Sequence, residues 1–292
     1  MKVGINLPSV NPVATGQFVS EFAQRADERG FASLWVGEHV VLFDEYDSTY
    51  PYDPSGKLFL GGTTGMLEPF EVLTFCAAVT SRVRLGTGVC LLPQRNPVYT
   101  AKAASTLDWL SDGRLDLGIG LGWSKEELAA CGVPWDRRGA RCDDYVEVMR
   151  RLWTEDVSSY DGDYYHLDPC RQYPKPLQDP HPPLHFGGES DAALRRVARH
   201  GDGWHGFNLP PDDAAERVRR LGRLLDERGR RLDDVEVTIG TYFLPVDRAA
   251  LERYRDAGVD QVVVLDLSTT IDDALRAIDR LAEDLVAPTA TW

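Results

Sequence analysis

Apolar residues recur along much of this chain at positions i, i+3, i+4 and i+7, the spacing of the buried face of a helix. The clearest repeats begin at Val19, Val72, Tyr145 and Ile271, and looser ones lie near 191–200, 212–229 and 247–257. A further helix is predicted from Asn96-Pro97 to Asp112-Gly113, where a cap and a stop signal enclose the repeat. The pattern therefore predicts many helices spread over the whole chain.

Short runs rich in β-forming residues lie between these helices. Eight of them are predicted strands: Val3–Leu7, Ser33–Val36, Arg84–Val89, Leu115–Ile119, Leu184–Phe186, Trp204–Phe207, Val235–Thr241 and Gln261–Leu265. Eight strands that alternate with helices predict an α/β protein, a (β/α)8 TIM barrel, with a doubly wound open sheet as the alternative. Because no linker or change of composition divides the chain, we expect residues 1–292 to form a single domain.

Two connections are too long to be simple turns. Residues 40–67 follow the second strand and are rich in Tyr, Gly and Pro, and residues 156–183 precede the fifth strand. Loops of this length inside a compact domain are typically lids, binding loops or disordered segments. Long insertions are therefore predicted on the C-terminal face of the barrel, and the first is expected to act as a lid rather than as a decoration.

Charge and composition exclude several classes of protein. The net charge of −14 argues against nucleic acid and anionic membranes as the main partners. No apolar run approaches the length of a membrane span, and the N-terminal residues read as a strand rather than a signal peptide. We expect a cytoplasmic protein. The 5 cysteines are odd in number and lack CxxC spacing, so they are interpreted as free thiols in the core.

Glycines at the ends of two predicted strands indicate a cofactor site. The third strand ends in Gly86-Thr87-Gly88-Val89, and the fourth opens into Gly120-Leu121-Gly122-Trp123. Glycine lets the backbone approach a planar or phosphorylated ligand closely. In parallel α/β proteins ligands bind at the C-terminal ends of the strands, where these glycines are predicted to lie.

In several segments the chain resembles the bacterial luciferase-like monooxygenase superfamily, and within it the coenzyme F420-dependent oxidoreductases. The matching segments are Leu34–His39, Arg84–Val89, Asn96-Pro97 through Asp108, Ser111–Leu115, Gly118–Trp123, Arg137–Arg141, Lys175-Pro176, Phe186–Gly188 and Gly201–Trp204. These segments are spread over residues 1–207. Residues 208–292 are compatible with the family only through their alternation of predicted helices and strands.

The resemblance implies a barrel that binds a flavin or a 5-deazaflavin at its C-terminal face. It also implies a cis peptide at Gly88–Val89, which would form a bulge behind the central ring of the cofactor, where the alternative is an ordinary trans strand end. The residues expected to bind the cofactor are Gly88, Val89, Gly120, Leu121, Gly122, Trp123, Gly187, Gly188 and Ser190. Tight turns are the alternative for the two later glycine sets. A homodimer is expected from the resemblance alone.

His39 is the candidate catalytic residue. It ends the second strand, where side chains converge on the barrel mouth, and an imidazole can exchange a proton with a substrate near neutral pH. The alternative is a histidine held by hydrogen bonds under the long loop. Glu38 is expected to point the other way and to form a structural salt bridge. Asn6 and His205 are candidate substrate-binding residues.

Arg137, Arg138 and Arg141 form the densest basic cluster, directly before a predicted helix. Cations at the N-terminus of a helix oppose its dipole, so an anion should compensate them. That anion is either the phosphate or glutamate tail of the deazaflavin, or a nearby carboxylate from Asp143, Asp144 or Glu147. The second interpretation is favoured.

Three functions remain open from the sequence. The first is hydride transfer between coenzyme F420 and a small organic substrate. The second is a two-component monooxygenase that uses reduced FMN, since oxygen chemistry needs a true flavin whereas a deazaflavin moves only hydride. An arginine that the flavin luciferases place near the end of the fourth strand is missing from Gly120-Leu121-Gly122, which favours F420. The third is a non-catalytic flavin-binding relative. A metal-dependent hydrolase is disfavoured, because Ile5-Asn6-Leu7 replaces the usual His-x-His and no metal is expected.

Overall fold

The computed structural model describes residues 1–290 and 292, and its centre is a closed barrel of eight parallel strands. These strands are β1 (Lys2–Asn6), β2 (Ser33–Val36), β3 (Arg84–Thr87), β5 (Leu115–Gly120), β8 (Leu184–Gly187), β9 (Gly203–Phe207), β10 (Glu236–Gly240) and β11 (Gln261–Leu265). They follow the order β3-β2-β1-β11-β10-β9-β8-β5, and β5 pairs back with β3 to close the ring. A short strand β4 (Cys90–Leu91) continues beside β5. The predicted (β/α)8 barrel is confirmed, and the open sheet is excluded.

Helices surround the barrel between its strands. They are α1 (Gly16–Glu28), α2 (Pro69–Ala77), α3 (Pro97–Leu110), α4 (Lys125–Ala130), α5 (Arg138–Thr154), α6 (Asp191–His200), α7 (Pro211–Asp226), α8 (Arg248–Asp256), α9 (Ile271–Leu281) and α10 (Ala287–Thr289). Local chemistry explains several of their starts. Thr15 accepts a hydrogen bond from Phe18 N at 3.2 Å, and Asn96 accepts from Val98 N at 3.0 Å, as N-caps do.

Both long connections have defined structure. Residues 156–183 contain an antiparallel hairpin of β6 (Ser158–Asp161) and β7 (His166–Cys170), whose continuation binds α3 through Asp108. Residues 40–67 lie over the C-terminal end of the barrel. Glu126 anchors this segment, because its carboxylate accepts hydrogen bonds from Asp47 N at 2.9 Å and Ser48 N at 3.3 Å. The predicted insertion on the C-terminal face is confirmed, and its closure as a lid stays a prediction.

Trp35 fills the middle of the barrel and forms the floor beneath the C-terminal opening. Its indole is fully buried and donates a hydrogen bond from Nε1 to Ser33 Oγ at 2.7 Å. A Cβ at position 86 would lie 2.4 Å from Trp35 Cε3, so only glycine leaves room for this indole. The barrel is therefore closed below the site, and a ligand can enter only from the C-terminal side.

Candidate active site

One large cavity opens at the C-terminal ends of the barrel strands, with a volume of about 1090 Å³. Drug-sized ligands occupy pockets of roughly 300–1,000 Å³, so this cavity has room for a cofactor and a second molecule. All of the predicted site residues line it: Asn6, His39, Gly88, Val89, Gly120, Leu121, Gly122, Trp123, Gly187, Gly188, Ser190 and His205. The residues chosen from the sequence therefore share one cavity, while its role as the active site and the role of each residue stay predictions.

The wall of the cavity at the end of β3 is built around Val89. The Gly88–Val89 peptide is cis, as the resemblance implied. The Val89 side chain faces the ends of β5 and β8, where a Cβ at position 120 would lie 2.3 Å from Val89 Cγ2 and one at position 187 would lie 3.2 Å from Val89 Cγ1. Glycines at these two positions are what allow Val89 to take its place. The result is an uncharged cleft wall with little side-chain bulk on either side.

His39 lies beside this wall, held by two hydrogen bonds. Its Nδ1 lies 2.8 Å from Glu127 Oε2, and the Nε1–H of Trp123 donates to its Nε2 at 3.3 Å. Because an indole nitrogen can only donate, Nε2 must carry a lone pair and the ring proton must sit on Nδ1, facing the carboxylate. The buried Glu127 also accepts from Val40 N at 2.7 Å, which fixes the carboxylate itself. His39 thus presents a proton acceptor next to the cavity.

Glu38, the residue before His39, also borders the cavity and binds Arg95, whose Nε lies 2.9 Å from Glu38 Oε1, so the predicted structural salt bridge is confirmed. Asn6 lies at the rim, at the end of β1. His205 lies at the floor, 4% exposed, with its ring centroid 4.5 Å from that of Trp35. Burial and the nearby His185 lower the pKa of His205 to about 3, so this ring is neutral.

A second region of the cavity lies between the N-terminal ends of α5 and α6. Ser190 is the N-cap of α6 and accepts from Ala193 N at 3.2 Å, and Gly188 before it has a left-handed φ of +104°. Arg138, the first residue of α5, lines the same region. Burial and the neighbouring Arg196 guanidinium lower the pKa of Arg138, and its Nε is buried without a hydrogen-bond partner in the described part of the chain. Such a cation calls for an anion.

The carboxylates expected as counterions of the arginine cluster bind other partners, while the choice between a structural and a cofactor-binding role for the cluster stays a prediction. Asp143 pairs with Arg196, Nε to Oδ1 at 2.6 Å, and Asp144 accepts from the Tyr160 hydroxyl at 2.8 Å. Glu147 pairs with two other basic side chains, those of Arg150 and His200. Each carboxylate is thus used elsewhere, because α5 turns these side chains toward α6 and the hairpin. Among the described residues, none of the three forms an ion pair with Arg137, Arg138 or Arg141.

Residues 40–67 and the ends of β9 and β10 add an aromatic wall that the sequence reasoning did not assign. The side chains of Tyr50, Tyr52, Phe207 and Tyr242 all line the cavity, and Tyr52 packs edge-on against Phe207 with ring centroids 4.7 Å apart. The Tyr52 hydroxyl donates to Glu189 Oε2 at 3.2 Å, while Phe207 N donates to Glu189 Oε1 at 2.9 Å. Glu189 therefore joins the inserted segment to the barrel inside the cavity.

Glu127 and Glu189 are the two acidic residues that the sequence reasoning missed. Ser124, which caps α4 and accepts from Glu127 N at 3.1 Å, gave a local signal for a helix start. Nothing local shows that the Glu127 carboxylate turns toward His39, 88 positions away. Within the described residues, no cluster of three His, Cys, Asp or Glu side chains could hold a metal ion. No helix of that part of the chain is long and apolar enough to cross a membrane.

Comparison with known proteins gives this architecture a family. A sequence model of the luciferase-like monooxygenase family matches residues 1–284. The chain belongs to this family. An uncharacterized protein of Mycobacterium tuberculosis (strain ATCC 25618 / H37Rv), Rv0953c, is 34% identical over 265 residues, which is 90% of this chain and 92% of that protein. The resemblance read from the motifs is thereby confirmed, and it extends beyond residue 207.

Two further relatives of this luciferase-like protein have named activities. An F420-dependent glucose-6-phosphate dehydrogenase of Amycolatopsis mediterranei is 31% identical over 75% of this chain and 62% of its own length. The pyrimidine monooxygenase RutA of Allorhizobium ampelinum is 33% identical over 47% of this chain and 38% of its own length. Members of the family are oxidoreductases or monooxygenases, and relatives of both kinds match.

Solved structures share the fold of this luciferase-like protein at low identity. The monooxygenase RslO1 from Streptomyces bottropensis has a TM-score of 0.79 and 23% identity, covering 99% of this chain and 100% of that one. The coenzyme F420-dependent tetrahydromethanopterin reductase from Methanopyrus kandleri has a TM-score of 0.77 and 18% identity, covering 98% and 99% of the two chains. At these identities the likeness concerns the fold alone.

Proposed function

We propose that this protein is an F420-dependent oxidoreductase that transfers a hydride between the deazaflavin and a small organic substrate. The observation that carries the proposal is the uncharged cleft around Val89, with glycine at positions 120 and 187 and with His39 beside it. Coenzyme F420 supplies the hydride chemistry when bound, and the protein supplies geometry, access and proton transfer. The F420-dependent relative supports this choice of cofactor.

The cavity offers a place for the ring system of the cofactor and another for its phosphate. Backbone at Gly88–Val89 and at the ends of β5 and β8 would hold the ring system. The phosphate would lie near Arg138 and the N-terminus of α6, where backbone amides and the guanidinium both favour an anion. The fit is tested by Arg138 itself, whose buried Nε has no partner among the described residues and whose charge is disfavoured by its surroundings.

His39 is proposed to move the proton that accompanies the hydride. Its Nε2 lone pair would accept the proton from a substrate hydroxyl or amine as the substrate carbon gives up hydride, and would return it in the reverse direction. Glu127, hydrogen-bonded to Nδ1, would hold the ring orientation and stabilise the imidazolium that forms. Trp123 donates to Nε2 only at 3.3 Å, so a substrate group can replace it.

A monooxygenase that uses reduced FMN is the second candidate, and Arg138 is the observation that favours it. The segment Gly120-Leu121-Gly122 lacks the cation expected for an FMN phosphate. Arg138 nevertheless lines the same cavity as Leu121 and brings a guanidinium to that side. The sequence argument against FMN therefore loses force. The monooxygenase relative belongs to the same family.

Titration of the purified protein with F420 and with FMN, followed by fluorescence, separates the two candidates. We expect F420 to bind tightly and FMN to bind more weakly. Tight FMN binding without any response to F420 would reverse the assignment. Loss of a charged hydrogen bond costs about 1.5–3 kcal/mol, so Arg138→Gln should weaken binding by roughly tenfold or more. Arg141→Gln, which removes a guanidinium from the same cluster outside the cavity lining, is the matched control.

The remaining expectations about this protein stay predictions. A small organic molecule is its expected partner, a homodimer is expected from the resemblance, and a cytoplasmic location remains an expectation from the sequence. Light scattering of the purified chain measures the oligomeric state directly, and a monomer at micromolar concentration would contradict the expected dimer.

A further inference from the structure

Glu189 is a carboxylate in the cavity wall whose hydrogen-bond partners among the described residues are uncharged. Its two oxygens accept hydrogen bonds from the Tyr52 hydroxyl and from Phe207 N. No lysine, arginine or histidine nitrogen of the described chain lies within ion-pair distance of it, unlike Glu38 and Glu127, which bind Arg95 and His39. Burial raises the pKa of the Glu189 carboxyl, against the effect of both hydrogen bonds. The negative charge at this position lacks a compensating positive one.

Four aromatic rings form a cluster that includes Tyr52 and Phe207, the two residues hydrogen-bonded to this carboxylate. Tyr52 contacts Phe207 and Tyr50, with ring centroids 4.7 Å and 5.6 Å apart, and Phe207 lies 5.0 Å from Tyr242. All four rings line the cavity together with Glu189. Aromatic faces attract organic cations, most strongly where water is displaced, and aromatic cages around a carboxylate are typical of ammonium recognition.

The cations of the cavity itself lie elsewhere. In the described chain, its lysine and arginine lining residues are Lys125 and Arg138, and both lie over the ring of Trp135, at 5.5 Å and 3.5 Å from the centroid. The Trp135 region therefore suits an anion, whereas the Glu189 region has the opposite character. A ligand that carries a phosphate would be repelled at Glu189.

We infer that the substrate of this cavity is an organic cation, whose ammonium group lies beside Glu189 among Tyr50, Tyr52, Phe207 and Tyr242. The ammonium group supplies the missing positive charge, and the four rings cover its alkyl substituents. The inference rests on the proposed function for the identity of this ligand as the reactant. It names a substrate class that the deazaflavin site alone does not specify, and it excludes sugar phosphates from this region.

The test compares two probes of the same shape and different charge. Choline and 3,3-dimethylbutan-1-ol differ by the replacement of a quaternary nitrogen with carbon, and calorimetric titration of each into the full-length protein gives both affinities. We expect choline to bind at least about tenfold more tightly than the neutral alcohol, as charged recognition among aromatic rings requires. Equal affinities in the wild-type protein would overturn the inference without any variant.

Variants then assign the preference to particular side chains. Glu189→Gln keeps the size and the hydrogen-bond acceptor, and it should remove most of the preference for choline. Tyr52→Leu should weaken choline binding severalfold, while Tyr52→Phe, which keeps the ring, should not. Glu28→Gln removes a carboxylate that is 69% exposed on α1, and it serves as the matched control. An unchanged preference in Glu189→Gln would overturn the assignment.

The outcomes separate this inference from the proposed cofactor. F420 titration of Glu189→Gln should change little, because the Glu189 carboxylate is directed to Tyr52 and Phe207 although its backbone precedes Ser190, the N-cap of α6. If choline binds selectively but F420 does not bind, the proposed function fails and the cation site stands. If F420 binds and choline shows no advantage, the inference fails and the proposed function stands.

Discussion

Substitution of Gly120 tests whether the shape of the cleft depends on glycine, because the absence of a side chain at position 120 leaves room for Val89. In Gly120→Ala the new Cβ would lie 2.3 Å from Val89 Cγ2 and 3.4 Å from Val89 Cβ. Ordinary contacts between carbon atoms are about 3.5–4.0 Å, so Val89 would have to move by more than 1 Å. Val89 is β-branched and stiff, and its backbone forms the cleft wall. The displacement should therefore reach the surface on which the cofactor ring is proposed to lie.

The expected cost is that of overpacking a well-filled interior, about 1–3 kcal/mol. For a chain of this size we expect the melting temperature to fall by roughly 2–4 °C per kcal/mol. Affinity for F420 should fall by tenfold or more if the wall shifts away from the ring. The same loss should affect FMN, so this prediction concerns the cleft and not the choice of cofactor.

Fluorescence titration and thermal unfolding of four variants provide the measurement: Gly120→Ala, Val89→Ala, the double variant and Gly222→Ala. Val89→Ala removes the atom in conflict, so the double variant Gly120→Ala/Val89→Ala should recover much of the stability that the single variant loses. Gly222→Ala is the matched control, because a Cβ there meets nothing within 4 Å and lies inside helix α7. It should leave stability unchanged or raise it slightly. If Gly120→Ala binds and melts like the wild-type protein, or if the two substitutions are simply additive, the reasoning about the cleft is refuted.

Other side chains give shorter tests. His39→Ala should lower turnover far more than cofactor affinity, and unchanged turnover would make His39 only scaffolding. Glu127→Gln should lower kcat by roughly ten- to a hundredfold with little change in KM. The carboxylate orients the imidazole and stabilises the imidazolium that forms, and it does not contact the substrate. Burial raises the pKa of the Asp27 carboxyl, but hydrogen bonds from the backbone amides of Val83, Ser81 and Arg82 lower it by more. The pKa of folded Asp27 is therefore below its ordinary value. The Asp27 contribution to stability is therefore complete above its unfolded pKa of about 3.9 and is lost as the pH falls through the lower folded value. Asp27→Asn should destabilise the protein by about 1–3 kcal/mol at pH 7, and chemical denaturation should show the deficit shrinking below about pH 4. A deficit that is the same at pH 3 and pH 7 would contradict this assignment.

The barrel could be predicted from the sequence because its signals are local. Each predicted strand lies within two residues of an observed one, and Thr15 and Asn96 cap the helices that follow them. The hairpin at 158–170 was missed because its residues are mostly polar and partly exposed, and they do not alternate as the residues of a half-buried strand do. Helix α4 is only six residues long, too short for a periodic pattern to appear.

The residues that line the cavity could be chosen from the sequence, but their hydrogen-bond partners could not. Glycines and family motifs mark the strand ends, and the fold then brings those ends together. Glu127 reaches His39 across 88 positions, and Tyr52 reaches Glu189 across 137, so these partners depend on tertiary structure that no local pattern records. The counterions of the arginine cluster could not be predicted for the same reason, since Asp143 pairs instead with Arg196 on the next helix around the barrel.

The double role of Glu127 has a consequence for how this scaffold can diversify. One oxygen of its carboxylate faces the imidazole of His39, and the other accepts the amide of Val40, where the inserted segment begins. The orientation of the His39 ring is thus set by a residue outside the insertion, on helix α4, which follows β5. We expect that residues 41–65 can be replaced by other loops that change the range of molecules bound in the cavity. The His39 ring should keep its orientation in such variants, because Glu127 holds it from outside the replaced segment.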